Sequence, residues 1–570
     1  MAQDTQMATG VTRRSTLATL AASTALGVMA ETVPALAASA QNLFRHGVAS
    51  GDPDQSSVVI WTRITADYSM AVDWEISSDP AFSRILQAGK AVASAESDHT
   101  IKVLVSGLPA GGRFHYRFRA NGVYSPAGRT RTLPSGKLDT LGIALVSCSN
   151  YAFGFFNAYD AIARDPTIDY VLHTGDYIYE YGADEWGAAT ARKLGRGHEP
   201  AHEIVSLADY RQRHAQYKTD AGAQALHAAH PLLACWDDHE SANNPWIGGA
   251  QNHQPDREGD WQARRTASIR AYYEWMPVRE PAPGRERIQV WRDYAFGDLA
   301  TLFTLETRHT ARARQIDYID AVPRIHSLDD ARGFERETIS AAGRTMLAPE
   351  LEQDLDRALK RSVSAGQPWR VIGNPMVIAR VRVPDVVASG LIPDPATHAT
   401  ASDEAKALAW KGKFDMPFYP DTWDGYEWAR EKLYALSRDA GAGDLVFLTG
   451  DSHSFWANQL FDAAGKSAGV ELGTAGVTSP GDFVESGFGA VVSPQLDTAF
   501  ADHNREVVWT DNMHQGYVRV EFTRAAAKAT FVGVDTVLSP DYRTGILKRF
   551  GIARADGALT ISETLPVTKA

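Results

Sequence analysis

Eight side chains able to hold metal ions stand directly after apolar runs. Cys148 follows LGIALVS, Asp176 and Tyr179 follow YVLHTG, Asp237, Asp238 and His239 follow PLLACW, and Asp451 and His453 follow DLVFLTG. Thiolate and phenolate favour a ferric centre, whereas carboxylate and amide oxygens suit a harder ion such as Ca2+, Mg2+ or Mn2+. A mixed set of this kind points to two unlike metals bridged by one carboxylate. Asp176 precedes Tyr179 by one turn in Gly175-Asp-Tyr-Ile-Tyr179, so both can reach one ion. Asp451 and His453 alternate along an extended chain, so their side chains point the same way. Asp237 reads as either a ligand or a structural acceptor, and Asn243 and Asn244 as capping or outer-lying groups.

These residues need elements that bring distant segments together. The runs LGIALVSC (141–148), YVLHTGD (170–176), PLLACWDD (231–238), LATLFTLET (299–307), WRVIGNP (369–375) and DLVFLTGD (444–451) read as buried strands. Amphipathic stretches such as EIVSLADYRQRHAQYK and PELEQDLDRALKRS separate them, which argues for an α/β layered domain. Open α/β sheets bind ligands at the carboxyl ends of their strands, so the six polar strand ends are expected to converge on one edge. His173 lies inside a strand and reads as packed, Cys235 as core, and Tyr177 and Tyr181 as walls. Two excursions, 183–200 and 381–426, interrupt the pattern. The second contains MPFYPDTWDGY, a candidate lid or substrate wall.

From Phe44 to Leu133 the pattern changes to alternating apolar and polar residues with frequent turns, as in SSVVIWTRI and RFHYRFRA. This predicts a small all-β sandwich. Its LPAGGRFHY stretch (108–116) resembles fibronectin type III modules, and no chemistry is assigned to it. Arg13-Arg14 precede an uncharged, Ala-rich stretch, Ser15–Ala30, and small-residue cleavage sites at 35–37 or 38–40. With Thr12 before and Leu17 after, this resembles a twin-arginine export signal, with Thr16 where Phe is usual. The stretch is too short and too weakly apolar to span a bilayer. The division expected is therefore a signal at 1–40, a β-sandwich at 41–135 and a catalytic domain at 136–570, reaching a periplasmic or secreted location through the twin-arginine translocase.

With 570 residues the chain has room for about two to four domains. Its formal charge of −12 gives no general attraction to nucleic acid or to anionic lipid. Two cysteines exclude a disulfide framework, and a Cys148–Cys235 bridge would destroy the iron site.

Ser147-Cys-Ser-Asn150, Gly175-Asp-Tyr-Ile-Tyr-Glu-Tyr181, Trp236-Asp-Asp-His-Glu240 with Asn243-Asn244, and Gly450-Asp-Ser-His-Ser-Phe-Trp456 appear in this order. Together they resemble the calcineurin-like metallophosphoesterase superfamily, and more closely its PhoD-like alkaline phosphatase branch. The VASGDP-to-VVIWTRI stretch fits that branch's extra β domain. The resemblance spans nearly the whole mature chain and implies an αββα sandwich preceded by the β domain. It implies Fe3+ held by Cys148, Asp176, Tyr179 and His453, with Asp176 shared. It implies a second ion, Ca2+ in that branch and otherwise Mg2+, Mn2+ or Zn2+, held by Asp176, Asp238 and Asp451. His239 takes the histidine slot that contacts phosphate or protonates the leaving group. Arg308 is a candidate for holding a phosphate oxygen, and Asn374 substitutes for a missing middle histidine.

The function expected is hydrolysis of a phosphate ester by a metal-activated water, on monoesters or diesters. The alternatives are phospholipase D or phosphotriesterase activity at the same site, and a non-catalytic exported binding protein with structural metals.

Overall fold

The computed structural model describes residues 43–397, 401–555 and 557–564. The expected export segment lies outside these. Among the described residues, the strands form a ten-, a seven- and a five-stranded sheet and a two-stranded ribbon, with helices between them. No helix among them is long and apolar enough to cross a membrane.

The six predicted strands do not share one sheet. Thr140–Val146, Tyr170–His173 and Leu232–Ala234 run parallel in the ten-stranded sheet. Ala300–Thr304, Trp369–Asn374 and Leu445–Thr449 run parallel in the seven-stranded one, continued by Ser467–Gly473. The single edge expected from the sequence is thus a junction of two edges. The reason is visible in the strands themselves. They are apolar on both faces, so each sheet covers a neighbour on both sides. Leu145, Leu172 and Leu233 of one sheet share a core with Leu302, Val371, Val446 and Leu448 of the other. Burying each such Leu contributes about 1.5–3 kcal/mol.

Helices cover the outer faces. Pro349–Ser364 starts on a proline at its first turn, where a missing N–H costs nothing, and buries Leu351, Leu355, Ala358, Leu359 and Ser362. That spacing makes one apolar stripe. On the opposite side Leu207–Tyr217 begins with a capping box, the Ser206 hydroxyl and Asp209 carboxylate each accepting a backbone N–H of the other residue.

The carboxyl ends of the two sheets lie against each other. An isolated parallel bridge joins Ser147 to Gly476. A Cβ on Gly450 would stand 2.4 Å from Ser147 Oγ and 2.5 Å from Thr174 Oγ1, so only glycine lets this strand end approach its neighbours.

The N-terminal strands divide between two sheets. Val48–Gly51, Ser57–Arg63 and Thr100–Ser106 extend the ten-stranded sheet, joined to it by Gly51 opposite Leu232. Met70–Ser77, Ile85–Ala93, Arg113–Ala120, Val123–Tyr124 and Gly128–Arg131 form the five-stranded sheet. Val58, Ile60 and Ile101 of the first group pack against Val72, Ile76, Phe114 and Phe118 of the second. On the other flank, Gln515–Thr523, Ala526–Val534, Thr544–Ala555 and Ala558–Glu563 add four antiparallel strands that the sequence reading did not place.

Candidate metal centre

Four loops at the junction carry the site, and the backbone is bent to present it. Cys148, Asp176, Asp451 and His453 have φ of 61°, 57°, 67° and 54°, a left-handed conformation that costs non-glycine residues energy. Gly175 has φ 108°, and a Cβ there would lie 2.3 Å from Asp237 Cβ. The chain accepts this strain where it aims a donor.

The donors converge in three overlapping groups. Cys148, Asp176 and His453 form one; Asp176, Asp238 and His239 a second; Asp176, Asp237, Asp238 and Asp451 a third, and within each the donor atoms lie within 4.8 Å of one another. Asp176 belongs to all three. Cys148 Sγ is 3.3 Å from Asp176 Oδ2, and the Tyr179 hydroxyl is 3.3 Å from both that oxygen and His453 Nε2. All seven expected ligands and His239 therefore meet at one place, from segments as far apart as 148 and 453.

The electrostatics are those of a place that needs a cation. Burial pushes the Cys148 thiol up to about 12. Burial, with Cys148 and Asp238 nearby, raises the Asp176 carboxyl well above the usual carboxylate range. Burial and the charges of Asp176 and Cys148 raise the Tyr179 phenol. Asp451 rises to about 7 through burial, against the pull of Arg308. These four anions are thus disfavoured by the protein alone, and positive charge at their common centre would reverse these shifts; Asp238 differs, since His239 and Arg308 outweigh its burial and hold its carboxyl below the usual carboxylate range. Thiol, phenol, imidazole and carboxylate fit an iron site merging into an oxygen-donor site.

Arg308 sits in the site, fully buried, with its fork committed to carboxylates. Nε and Nη2 donate to the two oxygens of Asp237, Nη1 donates to Asp421 at 2.7 Å, and Nη2 also reaches Asp451 at 3.2 Å. In this arrangement it is the carboxylates' counter-ion, and a phosphate oxygen would have to displace one of them. Asp237 is both a possible ligand and the anchor of Arg308.

His239 Nδ1 lies 2.7 Å from Glu180 Oε2, and its ring packs 4.2 Å from that of Tyr179. Burial lowers its pKa, but Asp238 and Glu180 outweigh this and hold it at about 9, so it is a cation at neutral pH.

Several supporting residues escaped the sequence reading. Glu180 also accepts the Asn243 N–H at 2.7 Å and Asn252 Nδ2 at 2.8 Å. Glu240 accepts the N–H groups of Asp176, Tyr177 and Asp237, tying two motif loops together. Ser479 Oγ donates to the Tyr179 hydroxyl at 3.0 Å. Glu180 and Glu240 stand inside the quoted motifs, where an acid beside a ligand was signal enough. Asp421, from the aromatic excursion, gave none. The Asn244 N–H donates to Asp238 Oδ2 at 2.9 Å, an outer-lying role.

Two expectations are corrected. Asn374 is no ligand: its Nδ2 donates to the Met376 carbonyl and its Oδ1 accepts Trp423 Nε1 at 3.2 Å, so both ends of the amide are spent. Tyr177 is no wall, because its hydroxyl points inward to Lys218 Nζ at 3.0 Å and His227 Nε2 at 2.8 Å. Tyr181 does pack beside His239, at 5.4 Å. His173 is packed, with Nε2 at 2.7 Å from the Tyr159 hydroxyl. Both cysteines are free.

Residues 29–134 match the family model of the PhoD-like phosphatase N-terminal domain, and residues 143–531 that of the PhoD-like phosphatase itself. Alkaline phosphatase D of Bacillus subtilis (strain 168) is 31% identical over 518 residues, covering 87% of this chain and 78% of that one. A solved structure of PhoD superposes with a TM-score of 0.72 at 28% identity, over 92% of this chain and 93% of the other.

Proposed function

The chain belongs to the PhoD-like phosphatase family, and from that membership we propose that it is an exported, metal-dependent phosphatase acting on phosphate monoesters and diesters. A phosphatase is an enzyme, so the reading as a non-catalytic binding protein is set aside. The observation that carries the metal dependence is the sharing of Asp176 among three donor groups.

Cys148, Asp176, Tyr179 and His453 would hold Fe3+. Asp176, Asp238, Asp451 and one oxygen of Asp237 would hold a second ion, Ca2+ first among the candidates. When bound, such a pair supplies Lewis acidity toward phosphate oxygens and makes water acidic enough to serve as nucleophile. The chain's own residues do the rest. Arg308 holds Asp237, Asp421 and Asp451 in register. Glu180 fixes the His239 ring through Nδ1, which leaves the Nε2 proton for the departing alkoxide. No side chain needs to attack phosphorus, so no covalent phosphoenzyme forms.

The proposal extends to the architecture and the address. We place the division between a β-sandwich and a layered αββα catalytic unit near residue 135, a reading supported by the two ranges the family models match. Arg13-Arg14 and the following Ala-rich stretch support export by the twin-arginine route, which carries folded, metal-loaded proteins.

Elemental analysis of the purified protein, with assays on p-nitrophenyl phosphate and bis-p-nitrophenyl phosphate, tests the reading. Iron held by tyrosinate and thiolate gives a visible absorption band that Tyr179→Phe shifts or bleaches. Colourless, iron-free protein with full activity overturns the iron assignment.

A further inference from the structure

The loop that carries Asp176 has a neighbouring loop on each side, and the two are joined to it differently. Toward Cys148 the joint is backbone to backbone. The Cys148 N–H donates to the Gly175 carbonyl at 3.3 Å, and the Ser149 N–H to the Asp176 carbonyl at 3.0 Å. Toward Asp237 the ladder stops at the Cys235 N–H, which donates to the His173 carbonyl at 2.9 Å. Beyond that bond, no backbone-to-backbone hydrogen bond joins 174–179 to 236–240 among the described residues.

Three N–H groups are left at this gap, and one side chain takes them all. Glu240, 2% exposed, accepts the Asp176 N–H at 3.1 Å and the Asp237 N–H at 2.7 Å on Oε2, and the Tyr177 N–H at 2.6 Å on Oε1. The loops it joins are in contact: a Cβ on Gly175 would stand 2.5 Å from the Asp237 nitrogen. A buried N–H without an acceptor costs free energy, so two loops that both present donors need an acceptor between them to stay together. A further link, the His239 N–H to Asp176 Oδ1 at 3.4 Å, is long and ends on a ligand oxygen.

The two joints divide the metal donors. Cys148 lies beyond the backbone joint, and Asp237 and Asp238 lie beyond the glutamate. We propose that Glu240 is the positioning residue of the second-ion half of the site: its carboxylate stands in for the missing backbone ladder and sets Asp237 and Asp238 beside Asp176 so that one divalent cation meets all three. This rests on the two-ion reading of the site. Glu240 acts through the backbone of the ligands and touches neither ion.

Two variants and a control test this in the full-length chain. Glu240→Gln keeps the volume, but its single amide oxygen serves two of the three N–H groups at best. Glu240→Ala leaves all three without their acceptor. Glu471→Gln is the control, because Glu471 is likewise buried and accepts the Ile378 and Ala379 N–H groups. Iron-loaded protein, stripped of divalent ions with EGTA, is dialysed against graded Ca2+, and bound calcium is measured by elemental analysis. Mg2+, Mn2+ and Zn2+ are dialysed in parallel, and the comparison is read on the ion the parent binds. The dissociation constant should rise about tenfold in Glu240→Gln and about a hundredfold in Glu240→Ala, and keep the parent value in Glu471→Gln. The visible band of the iron should keep its position in all three.

The second measurement is hydrogen exchange in the metal-free protein. Peptides carrying Asp176, Tyr177 and Asp237 should lose protection in both Glu240 variants. Parent-like ion affinity in the folded variants overturns the proposal. Weakened affinity with unchanged protection overturns it as well, since the glutamate then acts through its charge and not by position. Loss of the iron band together with the second ion overturns the division into halves. A parent that binds none of the four ions takes down the two-ion reading, and this role with it.

Discussion

Asp176 and Tyr177 are neighbours in the chain, yet their side chains enter two buried polar clusters of opposite character. In front, Asp176 joins Asp237, Asp238, Asp421 and Asp451, and Arg308, Arg312 and the protonated His239 are three cations against these five carboxylates. Behind, Tyr177 joins Lys218, His227, His173 and His214, with no carboxylate among them. Asp176 and Lys218 are equally hidden, each 1% exposed. Burial alone therefore does not mark a metal site. The rear cluster carries little charge: burial lowers the Lys218 ammonium to about 7, and burial keeps the imidazoles of His173 and His214 neutral, near 3, with Arg213 also bearing on His214. The front cluster carries a surplus of anions that the protein does not neutralise. That surplus, held by strained backbone, is what calls for ions from outside.

The comparison breaks most sharply at Asp176. Replacing the shared carboxylate removes a donor from all three groups, so Asp176→Ala should strip the metal and lower kcat/KM by about 10^3-fold or more, about 4 kcal/mol of transition-state stabilisation. Metal content by elemental analysis should fall with it. In metal-free protein the same change relieves repulsion, so the apoprotein should unfold at an equal or higher temperature. Retained activity, or a metal-free variant clearly less stable than the metal-free parent, would falsify the account of a cation-starved cluster.

Lys218 tests the rear. Burial drops its pKa from 10.5 to about 7. The unfolded chain then binds a proton that the folded chain lacks between about pH 7 and 10.5. Stability must rise with pH across that window, because the cost of charging a buried lysine is present below it and relieved above it. The gain for an isolated group approaches about 5 kcal/mol across the whole window. Denaturant unfolding at several pH values from 6 to 10 should show this rise in the parent and a flatter curve in Lys218→Met, with metal content unchanged in both. Parallel curves would mean the rear lysine is paired with an acid or water after all.

The two clusters also differ in how they could be read in advance. The front wrote itself into the sequence, since ligand chemistry limits residue types and the strand ends fix their spacing. That Cys148, Asp176, Tyr179, Asp238, Asp451 and His453 meet at one place was legible for that reason. The rear was not: Lys218 lies at the end of Leu207–Tyr217 and looks like any helix-terminal lysine until packing buries it. Asp421 was hidden likewise, because it reaches the site through a long excursion whose course no periodicity reveals. The division of six strands into two sheets was illegible too. An apolar run states that both faces are covered, not which strand lies beside it.

A smaller effect sharpens the front. Glu180 holds His239 through Nδ1, and with Asp238 keeps it protonated to about pH 9 in the metal-free protein. If His239 supplies a proton, activity falls as pH rises through its pKa. Glu180→Gln removes a carboxylate and keeps the shape, so the alkaline limb of the kcat profile should move toward lower pH by about one unit, with about tenfold less activity on that limb. Activity well below the limb should change little. A uniform loss at every pH would instead assign Glu180 to holding the loop through Asn243 and Asn252.

The smallest expected effect separates the two cysteines. Both are free, buried and pushed up in pKa by burial. Their surroundings differ. Cys148 Sγ lies within 3.3 Å of the shared carboxylate, whereas Cys235 Sγ faces the Gly373 carbonyl at 3.6 Å within the inter-sheet core. A buried thiol with apolar neighbours behaves as a small hydrophobe. Cys235→Ala should therefore cost about 1 kcal/mol of stability in chemical unfolding, the loss of one small buried group. Iron content, the visible band and kcat/KM should match the parent. Cys148→Ala, of the same volume change, should lose the iron and the band. If Cys235→Ala lost iron to the same degree, position relative to Asp176 would not be what separates ligand from core, and the contrast between the clusters would fail with it.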